Sequence, residues 1–110
     1  MTDKQVYELH ADVCKTMSNP KRLEVINLLR NGEKSVDELA TEMRIRKANL
    51  SQHLAVMRAK KIVETRRDGL KIYYKIANPK VVKACDIMRE VLMEQLADAR
   101  KFAEKIKVRK

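Results

Sequence analysis

The sequence predicts a mainly α-helical fold carrying a single two-stranded β-hairpin, in the order ααααββα. Two observations carry that class. Apolar residues recur at three- and four-residue steps over most of the chain, and the period changes to alternation only between Val63 and Ile76. Two glycines and two prolines in 110 residues leave little loop material, so most of the chain belongs to regular elements. The length suits one domain, residues 1–110, with one modest core. A composition 45% hydrophobic and 36% charged is that of a globular rather than a disordered chain. The formal net charge of +10 and isoelectric point near 9.8 point to a polyanionic partner. Between Arg44 and Lys75 ten cations stand against only Glu64 and Asp68, whereas the chain up to Met43 is slightly acidic. That concentration is what a nucleic-acid footprint requires.

Asp3 to Met17 places Val6, Leu9, Val13 and Met17 on one helical stripe, with Tyr7, Ala11 and Cys14 on an adjoining one. So wide an apolar face suits a helix buried on more than one side. Ser18-Asn19-Pro20 breaks and restarts the chain: Asn19 can cap a helix and Pro20 suits its first position. The second helix runs to about Arg30, with Leu23, Ile26 (or Val25) and Leu29 inward, and ends at Asn31-Gly32, where glycine can turn left-handed. Ser35-Val36-Asp37-Glu38 has the form of a capping box and opens a short third helix with Val36, Leu39, Ala40 and Met43 apolar.

Only a few residues around Arg44 and Ile45 separate that helix from the stretch Arg46 to Lys61, whose Leu50, Leu54 and Met57 form a narrow buried stripe. Ala48, Gln52, Ala55 and Ala59 fall opposite, flanked by Asn49 and Ser51, while Lys47, Arg58, Lys60 and Lys61 bracket the ends. Small residues permit close approach, an amide can read base edges, and cations can meet phosphates. A solvated amphipathic helix would look much the same in isolation. Its neighbours decide: two short helices joined by a tight turn, the second polar outward and basic at its ends, form a helix-turn-helix.

Asp68-Gly69 is expected to form a two-residue type I′ turn. Pairing Arg67 with Leu70 then sets Thr65 opposite Ile72 and Val63 opposite Tyr74 on the core face, and Arg66 opposite Lys71 and Glu64 opposite Tyr73 on the other. Like charges facing one another destabilise a bare hairpin, so Arg66, Arg67 and Lys71 around one tip imply a nearby phosphate. A solvated edge hairpin kept soluble by its cations is the plain alternative. Attached to a helix-turn-helix, the hairpin reads as a wing. Asn78-Pro79 then restarts a helix in which Val81, Cys85, Met88, Leu92, Gln95, Ala99, Phe102 and Ile106 recur over about seven turns. That stripe exceeds what so small a domain needs for its own core, and the surplus is expected to face a second copy together with the first helix. Val6, Leu9, Val13, Val81, Met88 and Leu92 are the expected homodimer contacts. The basic tail, from about 101 to 110, is expected to fray.

Met1 to Leu9 shows no basic segment followed by an apolar run, and no stretch approaches the length of a membrane span, so a cytoplasmic location is expected. Two cysteines without a secretory context are then reduced thiols. There is no glycine-rich phosphate loop and no Ser, His and Asp set at telling spacing, so the chain is not read as an enzyme and no cofactor is expected.

Met17-Ser18-Asn19-Pro20-Lys21-Arg22-Leu23, Gly32-Glu33, Glu38-Leu39-Ala40, Leu50-Ser51-Gln52-His53-Leu54, Arg66-Arg67-Asp68-Gly69 and Tyr73-Tyr74 together resemble the ArsR/SmtB family of winged helix-turn-helix repressors, over nearly the whole chain. The resemblance implies a homodimer joined through its first and last helices, with Arg46 to Lys61 in the major groove of double-stranded operator DNA and the hairpin as a wing. It also implies repression until an inducer weakens the DNA contact. Gln52 and Asn49, helped by Ser51, are expected at base edges, and Lys47, Arg58, Arg66, Arg67 and Lys71 at phosphates, across an inverted repeat. His53, beside the buried stripe, is expected to pack half-buried or to touch a phosphate.

The family's metal-sensing members carry Cys-Val-Cys in the third helix, where Ser35-Val36-Asp37 stands here, and others place histidines along the last helix, which has none. No metal site is therefore expected. Cys14 and Cys85 remain, either as small hydrophobes in the dimer interface or as a thiol pair brought together by the family's dimer. Gly32-Glu33-Lys34-Ser35-Val36 looks like the subgroup that senses reactive sulfur through two cysteines, although that subgroup's first cysteine sits in the second helix, around Asn27 here. A reactive-sulfur or redox sensor is the preferred reading. A repressor responsive to trivalent arsenic or antimony, or a DNA-binding regulator with no thiol chemistry, are the alternatives.

Overall fold

The computed structural model describes residues 1–108. The chain runs α1 (Asp3–Met17), α2 (Pro20–Leu28), β1 (Lys34–Ser35), α3 (Val36–Met43), α4 (Lys47–Ala59), β2 (Val63–Asp68), β3 (Lys71–Ile76) and α5 (Lys80–Val108). Local chemistry places most of the boundaries. Thr2 and Gln5 close a capping box on α1, and the Asn19 side chain accepts from the amides of Lys21 and Arg22 with Pro20 in the first turn of α2. At α3 the Ser35 hydroxyl accepts from the Glu38 amide at 3.1 Å, while the Glu38 carboxylate accepts from the Ser35 amide at 3.3 Å. Gly32, with φ +147°, closes the loop after α2 in a conformation that L side chains rarely adopt.

The core is built from α2, α3, α4 and the root of the hairpin. Val25, Ile26, Leu29, Leu39, Leu50, Leu54, Met57, Ile62 and Val63 are buried, and Tyr74, Ile76, Val81, Val82 and Cys85 pack against them. Leu23, expected inward, is exposed, because Val25, Ile26 and Leu29 already occupy the inward side of the short α2.

Lys34 and Ser35 add a short strand that the sequence does not announce, so the hairpin is part of a three-stranded antiparallel sheet in the order β1-β3-β2. Lys34 lies opposite Tyr74 and Ser35 opposite Tyr73. Two residues are too few to show a period, and Ser35 also serves as the cap of α3. The hairpin register differs from the expected one by two residues. Asp68 pairs with Lys71, Arg67 with Ile72, Arg66 with Tyr73, Thr65 with Tyr74, Glu64 with Lys75 and Val63 with Ile76. Gly69 and Leu70 therefore form the turn, with glycine at its first central position and φ +61°, as in a type II′ hairpin. Leu70 is fully exposed at the tip rather than facing the core. A shift of two keeps every side chain on its expected face. It also replaces the Arg66–Lys71 repulsion by opposite charges at Asp68 and Lys71, by an Arg66 guanidinium 4.8 Å from the Tyr73 ring centre, and by a Glu64–Lys75 ion pair at 3.2 Å. The inference of a phosphate from like charges at the tip falls with the register it assumed.

α1 and α5 lie largely outside this core. The first turns of α5 are fastened by Val81, Val82 and Cys85 and by a two-pronged Arg30–Asp86 ion pair at 2.7 and 3.1 Å. Val81, expected in the dimer contact, thus packs on its own core, because α5 leaves the core only after Asp86. Beyond it, Met88, Leu92, Leu96 and Phe102 are exposed, as are Val6, Leu9 and Val13 on α1. The helix continues to Val108 across the segment expected to fray, and the last two residues lie outside the described ones. A radius of gyration of 18.0 Å reflects this projecting arm, since a compact domain of about this size has roughly 13 Å. Among the described residues no helix is long and apolar enough to cross a membrane.

Leu54 is fully buried at the centre of the core, so Leu54→Ala is expected to cost about 2–5 kcal/mol of unfolding free energy in urea titration, whereas Leu70→Ala at the exposed tip changes it by less than about 0.5 kcal/mol.

Candidate nucleic-acid interface

Three residues, Arg44 to Arg46, turn α3 into α4. Arg44 takes the left-handed conformation, φ 56° and ψ 44°, and the Ile45 amide donates back to the Ala40 carbonyl at 3.2 Å while its side chain packs on the core. The sharp turn fixes α4 at an angle to α3, as a helix-turn-helix requires. Arg46 supplies no side-chain cap, so the first amides of α4 are left for water or an anion.

With Leu50, Leu54 and Met57 buried, the rest of α4 must face outward. Ala48, Ser51, Gln52, Ala55 and Ala59 are exposed and Asn49 is half-buried at the margin. Val56, which the sequence reading left out, is exposed among them and offers an apolar surface of the kind that meets a thymine methyl. Only its place between Gln52 and Ala59 could have signalled this, since valine on a helix ordinarily suggests core.

The expected phosphate-binding cations divide into two groups. Lys47 pairs with Asp37 of α3, and Arg66 makes a two-pronged bond to Glu33 at 2.6 and 3.1 Å. The cations in turn hold the Asp37 and Glu33 carboxyls below the usual carboxylate range. The side chains of Arg58, Arg67 and Lys71, in contrast, have no ion-pair or hydrogen-bond partner among the described residues. Arg67 and Lys71 flank the wing tip, and Arg58 lies in the last turn of α4.

His53 is half-buried and is held within the chain. Its Nδ1 accepts from the Arg22 Nε at 3.1 Å, and the Nη1 of the same guanidinium donates to the Thr16 carbonyl at 2.9 Å. Burial first, then the charges of Arg22 and Lys21, lower its pKa, so the ring is neutral near pH 7 with its proton on Nε2. Lys60, just past α4, bonds Asp12 of α1 at 2.5 Å. Arg22, Glu33 and Asp12 were not singled out from sequence for these contacts; their side-chain partners lie 31 or more residues away.

Cys14 is an exposed free thiol on α1 and Cys85 a half-buried one on α5. Burial, and then the charge of Asp86, raises the Cys85 thiol pKa. Within one chain α1 and α5 share no extensive packed face, so the chain by itself does not join the two. Among the described residues no group of three or more His, Cys, Asp or Glu side chains is placed to hold a metal ion.

Known proteins share this fold. Residues 19–65 match the family described as bacterial regulatory protein, arsR family. The HTH-type transcriptional regulator Rv0081 of Mycobacterium tuberculosis is 35% identical over 99 residues, covering 89% of this chain and 87% of that protein. Its crystal structure superposes with a TM-score of 0.77 at 36% identity, over 84% of this chain and 94% of that one. A homodimeric winged helix-turn-helix DNA-binding domain from Mycobacterium bovis gives 0.77 at 30% identity, over 87% and 91% of the two chains. The transcriptional repressor PagR of Bacillus anthracis gives 0.68 at 33% identity, over 78% and 99%.

The lowered pKa of His53 has a consequence for stability. The unfolded chain takes up this proton at a higher pH than the folded one, so stability present above the ordinary imidazole value of about 6.5 is lost as pH falls through it towards the folded value. The depressed carboxyls of Glu33, Asp37 and Asp86 begin to lose their contributions only as pH falls to the ordinary carboxylate value of about 4, outside that range. The melting temperature is therefore expected to drop between about pH 7.5 and 5.5, and to drop less in His53→Asn. Equal drops in both proteins would contradict the assignment.

Proposed function

The chain belongs to the ArsR family of bacterial regulatory proteins, and on that premise we propose that it is a homodimeric repressor that reads an inverted repeat in double-stranded DNA through α4 and is released by chemistry at its thiols. The outward face of α4 carries the DNA-binding reading. Its small residues and Gln52 permit close approach to base edges, and the unpaired Arg58, Arg67 and Lys71 supply charge for phosphates beside it. The apolar sides of α1 and of α5 beyond Asp86 offer a surface for a second copy, and the related Mycobacterium bovis domain is described as homodimeric. PagR is named a repressor. A two-fold axis relating two α4 helices calls for half-sites about one helical turn apart.

Release by thiols is supported by Cys14 lying exposed on α1 and Cys85 on α5, the two helices that would meet in that dimer, with Cys85 packed on its own core just before α5 leaves it. The Cys14 thiolate, the accessible one, would attack the outer sulfur of a low-molecular-weight persulfide, or a disulfide sulfur, and expel the first thiol. Cys85 would then attack Cys14 Sγ, closing the Cys14–Cys85 disulfide and expelling sulfide or the second thiol. Linking the two would change the angle between α1 and α5 and with it the separation of the α4 helices, a shift between two dimer geometries.

Selection from a random duplex library by the purified protein should enrich an inverted repeat; enrichment of no sequence would overturn the groove-reading assignment. On the selected duplex, Gln52→Ala is expected to cost about 1–3 kcal/mol and relax preference at one base position, while Arg67→Ala weakens all sequences alike and lowers the salt slope by about one. Glutathione persulfide or diamide should weaken wild-type binding and leave Cys14→Ser and Cys85→Ser unaffected. An effect of arsenite alone would favour the arsenic- or antimony-responsive reading, and no effect of any reagent would leave a regulator whose cysteines only pack.

A further inference from the structure

We propose that Arg22 and His53 are positioning residues for the DNA-reading helix, linking its pitch to α1 rather than contacting DNA. This rests on the reading of α4 as the groove reader. The guanidinium of Arg22 stands between two elements: Nη1 donates to the Thr16 carbonyl at the end of α1 and Nε donates to His53 Nδ1 in the middle of α4, at 2.9 and 3.1 Å. Thr16 is itself buried, its hydroxyl donating to the Asp12 carbonyl at 2.9 Å, and the Asp12 carboxylate takes Lys60 beyond the other end of α4.

α1 therefore holds α4 at two heights. His53 and Lys60 are seven residues apart, roughly 10 Å along a helix axis. Apolar packing of Leu50, Leu54 and Met57 decides which side of α4 is inward but is non-directional, so it sets the pitch of the helix less sharply than a hydrogen bond of fixed geometry. Two directional attachments at separate heights define that pitch. The Arg22 attachment is the more constraining of the two, because a planar guanidinium holding two acceptors at once fixes their relative placement, whereas the Lys60 ammonium rotates about its stem. It also consumes the Nδ1 lone pair of a neutral ring. Since α1 presents exposed apolar residues for a partner copy, these two attachments connect the dimer contact to the groove reader, and Arg22 is the more constraining of them.

A positioning role and a phosphate contact give different signatures. The probe is a fluorescent duplex of about 30 bp carrying the sequence selected by the wild-type protein, compared with a scrambled duplex of equal composition across a salt series. Arg22→Met and His53→Leu are each expected to lower the ratio of selected to scrambled affinity about tenfold, with the salt slope unchanged. His53→Asn, which restores an acceptor near the Nδ1 position, should recover the ratio to within about threefold of wild type. A salt slope lowered by about one in Arg22→Met would make Arg22 a phosphate contact and overturn the proposal. So would a wild-type ratio in Arg22→Met and His53→Leu. If either of those variants fails to fold, Arg22→Lys, which keeps the charge but lacks the planar fork, decides: a lowered ratio with the slope kept supports positioning, and a wild-type ratio refutes it. A wild-type protein that does not discriminate between the duplexes overturns the groove-reading assignment itself, and is thereby distinguished from a discriminating wild type with indifferent variants.

Discussion

Leu50, Leu54 and Met57 commit one side of α4 to the core, and most of what this protein can do follows from that commitment. Burying three large apolar side chains on a 13-residue helix contributes several kcal/mol, of the order of 1.5–3 kcal/mol each, which the alternative of turning that stripe to solvent would forfeit. The opposite side is thereby exposed by necessity. Its composition, Ala48, Gln52, Ala55 and Ala59, is suited to close approach by another molecule rather than to packing inside this one. The left-handed turn at Arg44 and the buried Ile62 and Val63 at the hairpin root then hold α4 from both ends.

The positive field around that face is partly balanced within the chain. Lys47, Lys60, Arg66 and Lys75 each meet a carboxylate, contributed by Asp37, Asp12, Glu33 and Glu64 in turn. These pairs are exposed, so they add little to stability. Their effect is on shape and field: they brace the reading helix and the wing against neighbouring elements. Net charge thus overstates the number of cations ready for phosphates, and of the five expected phosphate contacts only Arg58, Arg67 and Lys71 keep side chains without a partner among the described residues. Arg66 illustrates the division well, since a two-pronged bond to Glu33 and stacking on Tyr73 make it a brace for the wing.

A second balance concerns size. A core of about a dozen side chains uses only the first two turns of α5, and the remainder of this 29-residue helix projects about 30 Å with apolar residues exposed. Apolar surface of that extent is unusual on a lone monomer. The ArsR-family membership and the apolar sides of α1 and α5 are consistent with a partner copy there, which would place Cys14 and Cys85 in one assembly although the single chain does not join them.

How much of this was legible in the sequence depends on the range of the interaction responsible. Caps and periods are local: Asn19-Pro20, Ser35 with Glu38 and the stripe of α4 identify their elements because each signal and its structural partner lie within one or two turns. The fold class, the helix-turn-helix, the wing and the exposed face of α4 therefore follow from sequence. The hairpin register did not, because a glycine can serve at either central place of a two-residue turn and only the packing of Tyr74 and Ile76 against the core, with Asp68 facing Lys71, chooses between them. Nor did β1, too short to show a period, or the placing of Val81 on its own core. Arg22, His53 and Thr16, and likewise Lys60 with Asp12, are brought together over up to 48 residues by the packing of whole helices. Sequence determined which surface faces out, since periodicity records burial; tertiary structure decided which charges remain available there and what fixes the surface in place, since those depend on partners that only the folded chain makes neighbours.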